Sequence, residues 1–139
     1  MSIYTDIRGA LQNRLKSVAG INSSEISRQG HPFVPTTGSR FFTCAVVPVS
    51  GRPATLGSAH LIWHIGTFEV NVVYPSGSGT GPAESVADTI KSYFTADTVL
   101  TQGTTKVRIR YSERRPVIED SVWVRVPVRI GWYLYSQNY

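Results

Sequence analysis

A glycine-rich loop is the first candidate ligand-binding segment in this 139-residue chain. Residues 77–85 read GSGTGPAES and open a helical pattern, as phosphate-binding loops do. Free N–H groups at a helix N-terminus attract anions. However, this loop lacks the Lys-Ser/Thr pair of a P-loop, and its third glycine departs from the dinucleotide-binding spacing. We therefore predict a turn here, with no cofactor.

The histidine and cysteine side chains are the next candidates. His60 and His64 stand four residues apart, a spacing that could bind a metal ion on a helix. Their segment reads as extended, which separates them by roughly 13 Å at ~3.3 Å per residue, so we predict no metal site. Cys44, the single cysteine, lies within a predicted strand, where a buried thiol is normally inert packing.

The carboxylates complete the survey for catalytic groups. Glu69, Glu113, Glu119 and Asp120 offer no pair with the geometry of an acid/base couple, and the adjacent Glu119 and Asp120 fit a turn. The sequence thus predicts no catalytic residues and a protein that is not an enzyme.

Charge points instead to a partner surface. The formal net charge is +5, and residues 104–139 carry most of the excess, with Glu113, Glu119 and Asp120 as their only acids. Arginine supplies most of the basic residues, and its planar guanidinium favours bidentate contacts with carboxylate or phosphate. The N-terminal residues 1–18 alternate charged and apolar side chains, so we expect neither a signal peptide nor a membrane span.

Two helices and four strands are predicted to position these groups. Apolar residues recur at helical spacing in residues 3–18 and 83–94. Residues 41–48 form a continuous apolar run, which predicts a strand buried on both faces, and residues 59–75 form a longer strand with a bend or bulge at Gly66. Residues 20–40 and 50–58 show no period and read as connections.

The last two strands share one design. Apolar side chains alternate with basic ones in residues 106–111, where Tyr111 falls among the inward positions, and with Trp123, Arg125, Pro127 and Arg129 in residues 122–130. If the two strands pair, core alternation places Arg108, Arg110, Arg125 and Arg129 on one outward sheet face. The element order predicts a single α+β domain over residues 1–139, with an antiparallel or mixed sheet and two amphipathic helices packed on one face.

An ordered series of motifs links this chain to a known family. It begins with PF-x-P-x-x-G (Pro32 to Gly38) and an aromatic strand, continues with G-x-F-x-V-x-V-x-YP-x-G-x-G (Gly66 to Gly79) and a short helix ending at Phe94, and closes with W-x-R-V-P-V (Trp123 to Val128). This series resembles the tail terminator and tail-completion proteins of long-tailed bacteriophages. The resemblance covers almost the whole chain except residues 50–60.

The resemblance implies a non-enzymatic virion protein. Such a protein forms a homo-oligomeric ring, usually a hexamer, which caps the tail tube and joins the tail to the head. Its expected partners are the tail tube protein and a head-completion or connector protein, and DNA would contact it only as the genome passes through the ring. It would assemble in the host cytoplasm and end at the head–tail junction of the virion, with no membrane partner.

The residues expected at interfaces are Pro32, Phe33 and Pro35 in the entry loop, with the four arginines of the two last strands. Proline fixes φ, so the entry loop would lose less entropy on docking to a neighbour. The same prolines equally suit a surface loop that sets strand register. A head-completion or connector protein and a basic nucleic-acid-binding module stay open as alternative functions, since aromatic residues accompany the arginines.

Overall fold

The computed structural model describes residues 3–22, 25–28, 40–53, 61–77, 79–119 and 122–137. Within these ranges two helices and seven strands follow one another: α1 (Ile3–Lys16), β1 (Ile26–Arg28), β2 (Phe41–Pro53), β3 (Leu61–Pro75), α2 (Gly81–Tyr93), β4 (Val99–Gln102), β5 (Thr105–Arg114), β6 (Ile118–Glu119) and β7 (Trp123–Gln137). Both predicted helices are present, and α2 carries its proline in the first turn, where no N–H is required. None of the helices in these ranges is both long and apolar enough to cross a membrane.

The strands form one mixed sheet in the order β1-β2-β3-β7-β5-β4, and β6 pairs with β7 beyond the end of β5. The β1–β2 pair is parallel and the remaining pairs are antiparallel. The predicted pairing of the last two long strands, β5 and β7, is present. The predicted α+β class with a mixed sheet is confirmed.

The core lies between one sheet face and the two helices. Alternate residues of β3 and β7 are buried there, namely Phe68, Val70, Val72, Val124, Val126, Val128, Ile130, Trp132 and Leu134. The helices contribute Ile7, Leu11, Leu15, Ala83, Ala87 and Ile90 to the same cluster. Each large apolar side chain buried in this way contributes about 1.5–3 kcal/mol. The other sheet face, which neither helix covers, is called the outer face below.

Strand β2 corrects two predictions. Phe42, Cys44 and Val46 are buried, but Val47 is 41% and Val49 66% exposed, so only one face of the apolar run is in the core. The strand continues to Pro53 because it pairs with β3 as far as Ile62, with a register shift between Pro48 and Ser50. The connection predicted at residues 50–58 therefore begins inside the strand.

A short strand also lies within the predicted connection at residues 20–40. β1 pairs in parallel with β2 from Phe42 to Cys44, too briefly for its period to be visible in the sequence. Arg40 fixes this segment: its Nε lies 2.9 Å from Glu25 Oε2, its Nη1 donates to Tyr74 Oη at 2.9 Å, and its Nη2 donates to the Gly20 carbonyl. The Arg40 guanidinium lowers the pKa of the Glu25 carboxyl.

Arg40→Ala is expected to lower the free energy of unfolding by about 1.5–3 kcal/mol, because it removes charge-assisted hydrogen bonds at a partly buried site. Amide exchange should accelerate in Ile26–Arg28 before the rest of the sheet.

Since the folded-state pKa of Glu25 is lowered, its pairing with Arg40 stabilises the protein above the unfolded pKa, and this stabilisation is lost as the pH falls through the folded value. The difference between wild type and variant should thus shrink below about pH 4. Arg8→Ala, at an exposed position of α1, is the control; equal exchange rates in Arg40→Ala and wild type would contradict this role.

Cys44 lies in the core at 5% exposure, with its Sγ 3.8 Å from the Ser27 carbonyl oxygen. Cys44→Ser should lower the free energy of unfolding by ~1–3 kcal/mol, since a hydroxyl replaces an apolar thiol in a buried position. Assembly should survive in any variant that still folds. Thermal unfolding and an assay of the assembly that the resemblance implies check both points. A Cys44→Ala protein that folds normally but cannot support assembly would show that the thiol does more than pack.

Candidate assembly surface

The outer face is built from alternate residues of four neighbouring strands. The pairing register places Ala45, Glu69, Arg129 and Glu113 in one row across β2, β3, β7 and β5. The next row contains Val47, Thr67, Gly131 and Tyr111. Beyond it, Ile65 lies beside Tyr133 and Arg108, and Trp63 lies beside Tyr135. This face carries Arg108, Arg125 and Arg129, three of the seven residues that the sequence assigns to an interface.

A bulge in β5 changes which arginines reach the outer face. The register with β7 shifts between Ile109 and Tyr111, which leaves Arg110 as the extra residue. Beyond the bulge the side chains reverse: Tyr111 stacks over Gly131 on the outer face, while Ser112 Oγ donates to the Lys91 carbonyl on the helix side at 3.2 Å. The prediction that Tyr111 points into the core with Val107 and Ile109 is wrong, because the alternation is broken.

The four arginines predicted at an interface therefore separate into three environments. Arg108 and Arg125 are exposed on the outer face and form no ion pair with the described residues. Arg129 lies on the same face but pairs with Glu69, Nη2 to Oε1 at 3.1 Å. Arg110 lines a groove beside α2. Pro32, Phe33 and Pro35 lie outside the described residues, so their interface role remains a prediction.

A row of paired charges crosses the middle of the outer face. Glu69 pairs with Arg129, which stands opposite Glu113, and Glu113 in turn pairs with Arg115 at 3.3 Å. Exposed pairs of this kind contribute only ~0–1 kcal/mol each to stability. Their position matters more, because this row of charges lies between an aromatic end and a basic end of the outer face.

One end of the outer face is aromatic. Tyr133 and Tyr135 form an edge-to-face pair with centroids 6.2 Å apart, next to Trp63, Ile65 and Tyr111. Tyr135 is 56% exposed although it lies within a sheet. Tryptophan, tyrosine and arginine dominate the energetics of protein interfaces, and Arg108 adds the arginine here. Sequence reasoning missed Tyr135, although its i, i+2 spacing from Tyr133 continues the alternation of β7 past residue 130.

The other end is a basic groove of about 400 Å³ between the sheet and the segment that joins β5 to β6. Its walls include Asn71, Arg115, Ile118, Arg125 and Pro127. Asn71 Nδ2 donates to Thr43 Oγ1 at 3.0 Å and is thereby held in place. An unpaired guanidinium in a groove binds carboxylate or phosphate with two parallel hydrogen bonds. The groove is therefore suited to an acidic group of a partner.

The glycine loop and His64, the sequence candidates for phosphate or metal binding, lie apart from this face, whereas the surveyed carboxylates Glu69 and Glu113 lie on it. Gly77 and Gly79 have φ of +96° and +77°, which fits a turn before α2. His64 is buried on the core side, where burial lowers its pKa, and its Nδ1 lies 3.3 Å from Tyr4 Oη. His60 is outside the described residues. No cluster of three or more His, Cys, Asp or Glu side chains that could hold a metal ion occurs among the described residues.

Comparison with known proteins defines the class and then the family. A solved structure whose name gives no function superposes with a TM-score of 0.74 at 26% identity, covering 100% of this chain and 97% of that chain. A chain from the virion of a native gene transfer agent particle superposes with a TM-score of 0.62 at 15% identity, covering 97% of this chain and 98% of that one. The second likeness is one of fold. No curated protein matches the chain.

A family model described as "Phage tail terminator protein" matches residues 6–132, nearly the whole chain. The chain belongs to the phage tail terminator protein family. It is therefore a structural protein of a bacteriophage tail and a component of the virion.

Proposed function

We propose that this protein forms a closed ring, a hexamer by family resemblance, that caps the completed tail tube and joins the tail to the head. The family match over residues 6–132 carries this proposal. The ring contacts the tail tube protein on one side and a head-completion or connector protein on the other. It acts without catalysis, and DNA meets it only during passage through the lumen.

The outer face supports this role by its composition. An aromatic end and a basic groove provide two chemically distinct contact areas on the sheet face that neither helix covers, and the ion-paired Glu69 and Arg129 form part of the groove wall. Interfaces concentrate their binding energy in buried tyrosine, tryptophan and arginine side chains. Contacts between different surfaces of identical subunits generate a ring when the rotation closes.

Depletion of the protein from its phage tests the proposal. Without it, we expect tails and filled heads to accumulate separately, and supply of the wild-type chain should restore joined particles. Fractionation also distinguishes the alternative function, because a tail terminator co-purifies with headless tails and a head-completion protein with tailless heads. Joined particles in the absence of the protein would refute the proposal.

A further inference from the structure

A second groove lies outside the outer face, between the C-terminal half of α2 and the bulge of β5. It encloses about 470 Å³ and is lined by Asp88, Lys91, Ala96, Arg110, Tyr111 and Ser112. The Ser112–Lys91 hydrogen bond closes one side, and the Asp97 N–H donates to the Ile109 carbonyl at 2.9 Å on another. These two hydrogen bonds join the bulged part of β5 to α2 and to the segment that follows it.

The groove is basic with an apolar wall. Among the described residues, neither Lys91 nor Arg110 forms an ion pair, whereas Asp88 is neutralised by Arg114, Nε to Oδ1 at 3.2 Å. The Arg110 guanidinium carbon lies 5.9 Å from the centroid of the Tyr111 ring, which keeps the charge beside an aromatic surface. The ligand that fits is an acidic group adjoining an aliphatic side chain.

The same chain presents such a segment at β6. Ile118 is 45% exposed, and the exposed Glu119 beside it forms no ion pair with the described residues. The strand pairs with β7 through Ile118 opposite Arg125 and Glu119 opposite Val124. Asp120 follows in the sequence and adds a second negative charge. An exposed isoleucine beside acidic residues matches the apolar wall and the cations of the groove.

We propose that β6 of one copy docks into the α2–β5 groove of the next copy, with Ile118 against Tyr111 and Glu119 paired with Arg110 and Lys91. The two surfaces cannot meet within one chain, because β6 pairs with β7 at Val124 and Arg125 whereas Tyr111 pairs with Gly131. Six residues of strand separate these positions by about 20 Å. The contact is therefore heterologous, and its repetition produces a ring if the rotation closes. This inference rests on the proposed ring.

Charge exchange tests the pairing. Arg110→Glu and Glu119→Arg should each weaken self-association about tenfold, since attraction is replaced by repulsion at each contact. Both changes in one chain should restore most of the affinity, because the pair is re-formed with its signs reversed. Arg8→Glu, at an exposed position of α1, matches the charge change of the first variant and should leave self-association unchanged. Sedimentation equilibrium at low salt measures the self-association of these four variants and of the wild type.

Site-directed cross-linking tests the geometry. Ile118→Cys and Ala96→Cys chains, tagged differently and mixed, should form an intermolecular disulfide on mild oxidation, which peptide mass spectrometry would identify. Ala19→Cys is the exposed control partner and should give no such product with Ile118→Cys. The same pairs are oxidised in purified protein and in assembled tails. Circular dichroism confirms that each variant is folded.

The outcomes separate this contact from the ring itself. Oligomers that lack the 118–96 link and tolerate both charge reversals would overturn the contact and leave the ring intact. Loss of tail completion in each single variant without rescue by the double variant would assign the groove to another tail protein, and would also overturn the proposal. Absence of self-association in solution together with absence of a ring on tails would overturn both proposals.

Discussion

Gly66→Ala is expected to lower the free energy of unfolding by about 3 kcal/mol, at the upper end of the usual cost of overpacking a core. A Cβ atom at Gly66 would lie 2.5 Å from Trp132 Cζ2 and 2.6 Å from the carbonyl oxygen of Val47. The Trp132 ring is fully buried, and the carbonyl belongs to the neighbouring strand β2, so neither can move aside without distorting the sheet. Urea denaturation measures the loss.

Gly131→Ala is the matched control within the same sheet. Its Cβ would lie 2.2 Å from Tyr111 Cε2, an even closer approach. However, Tyr111 is 36% exposed on the outer face and its ring can rotate towards solvent. We therefore expect a loss below about 1 kcal/mol, close to that of an ordinary surface substitution. Equal losses of unfolding free energy in the two variants would contradict the inference that Gly66 leaves the space that the Trp132 ring occupies.

Gly66 also illustrates what the sequence can predict. A glycine within an alternating apolar strand indicates a bulge or a close approach, and the sequence predicted a bend at this residue. The register shift instead lies in the partner strand, between Pro48 and Ser50, next to the Pro48–Gly66 pair. The glycine itself makes room for Trp132. Only the pairing of the strands reveals which residue fills the space, and a single sequence does not contain that pairing.

Arg108→Glu combined with Arg125→Glu is expected to abolish assembly while leaving the monomer folded. Both side chains are exposed on the outer face, at its aromatic end and in its basic groove respectively. Replacing only one of the two arginines with alanine should change little, since an exposed ion pair with a partner is worth ~0–1 kcal/mol. Reversal of both places repulsion at both ends of the outer face, so the contact that this face is proposed to make with a neighbouring subunit or the tail tube should weaken by at least tenfold. The free energy of unfolding should change by less than about 0.5 kcal/mol.

Arg8→Glu combined with Lys16→Glu changes the net charge equally, but on α1, which packs against the opposite side of the sheet. This control should assemble as the wild type does. Circular dichroism verifies the fold of both double variants, and complementation of a phage lacking the protein counts completed particles. A normal yield from the folded Arg108/Arg125 variant would remove the outer face from the interface.

The fold class follows from local patterns that are long enough to read. Helical spacing in α1 and α2 and alternation in β3 and β7 persist over several turns or pairs, so they predict the core directly. β1 and β6 span three and two residues, below the length at which a period is visible. They form because their neighbours supply hydrogen-bonding partners, which is a property of the folded chain.

Part of the candidate surface is also predictable from alternation along the strands. Outward placement of Arg108 and Arg125 follows from alternation with buried valine and isoleucine residues. The bulge after Ile109 is one inserted residue, and it moves Arg110 into a different groove and Tyr111 onto the outer face. That groove lies between α2 and β5, and its lining residues come from two segments that are distant in sequence. A local sequence pattern does not predict a groove formed by two such segments.

Electron microscopy of the purified protein, together with gold-labelled protein on assembled tails, shows whether the protein forms a ring and where that ring lies. We expect a closed ring, either in solution or on the tube, with the label at the end of the tail that meets the head. Particles that remain monomeric at all concentrations, on tails that carry neither a ring nor a label at that end, would contradict it.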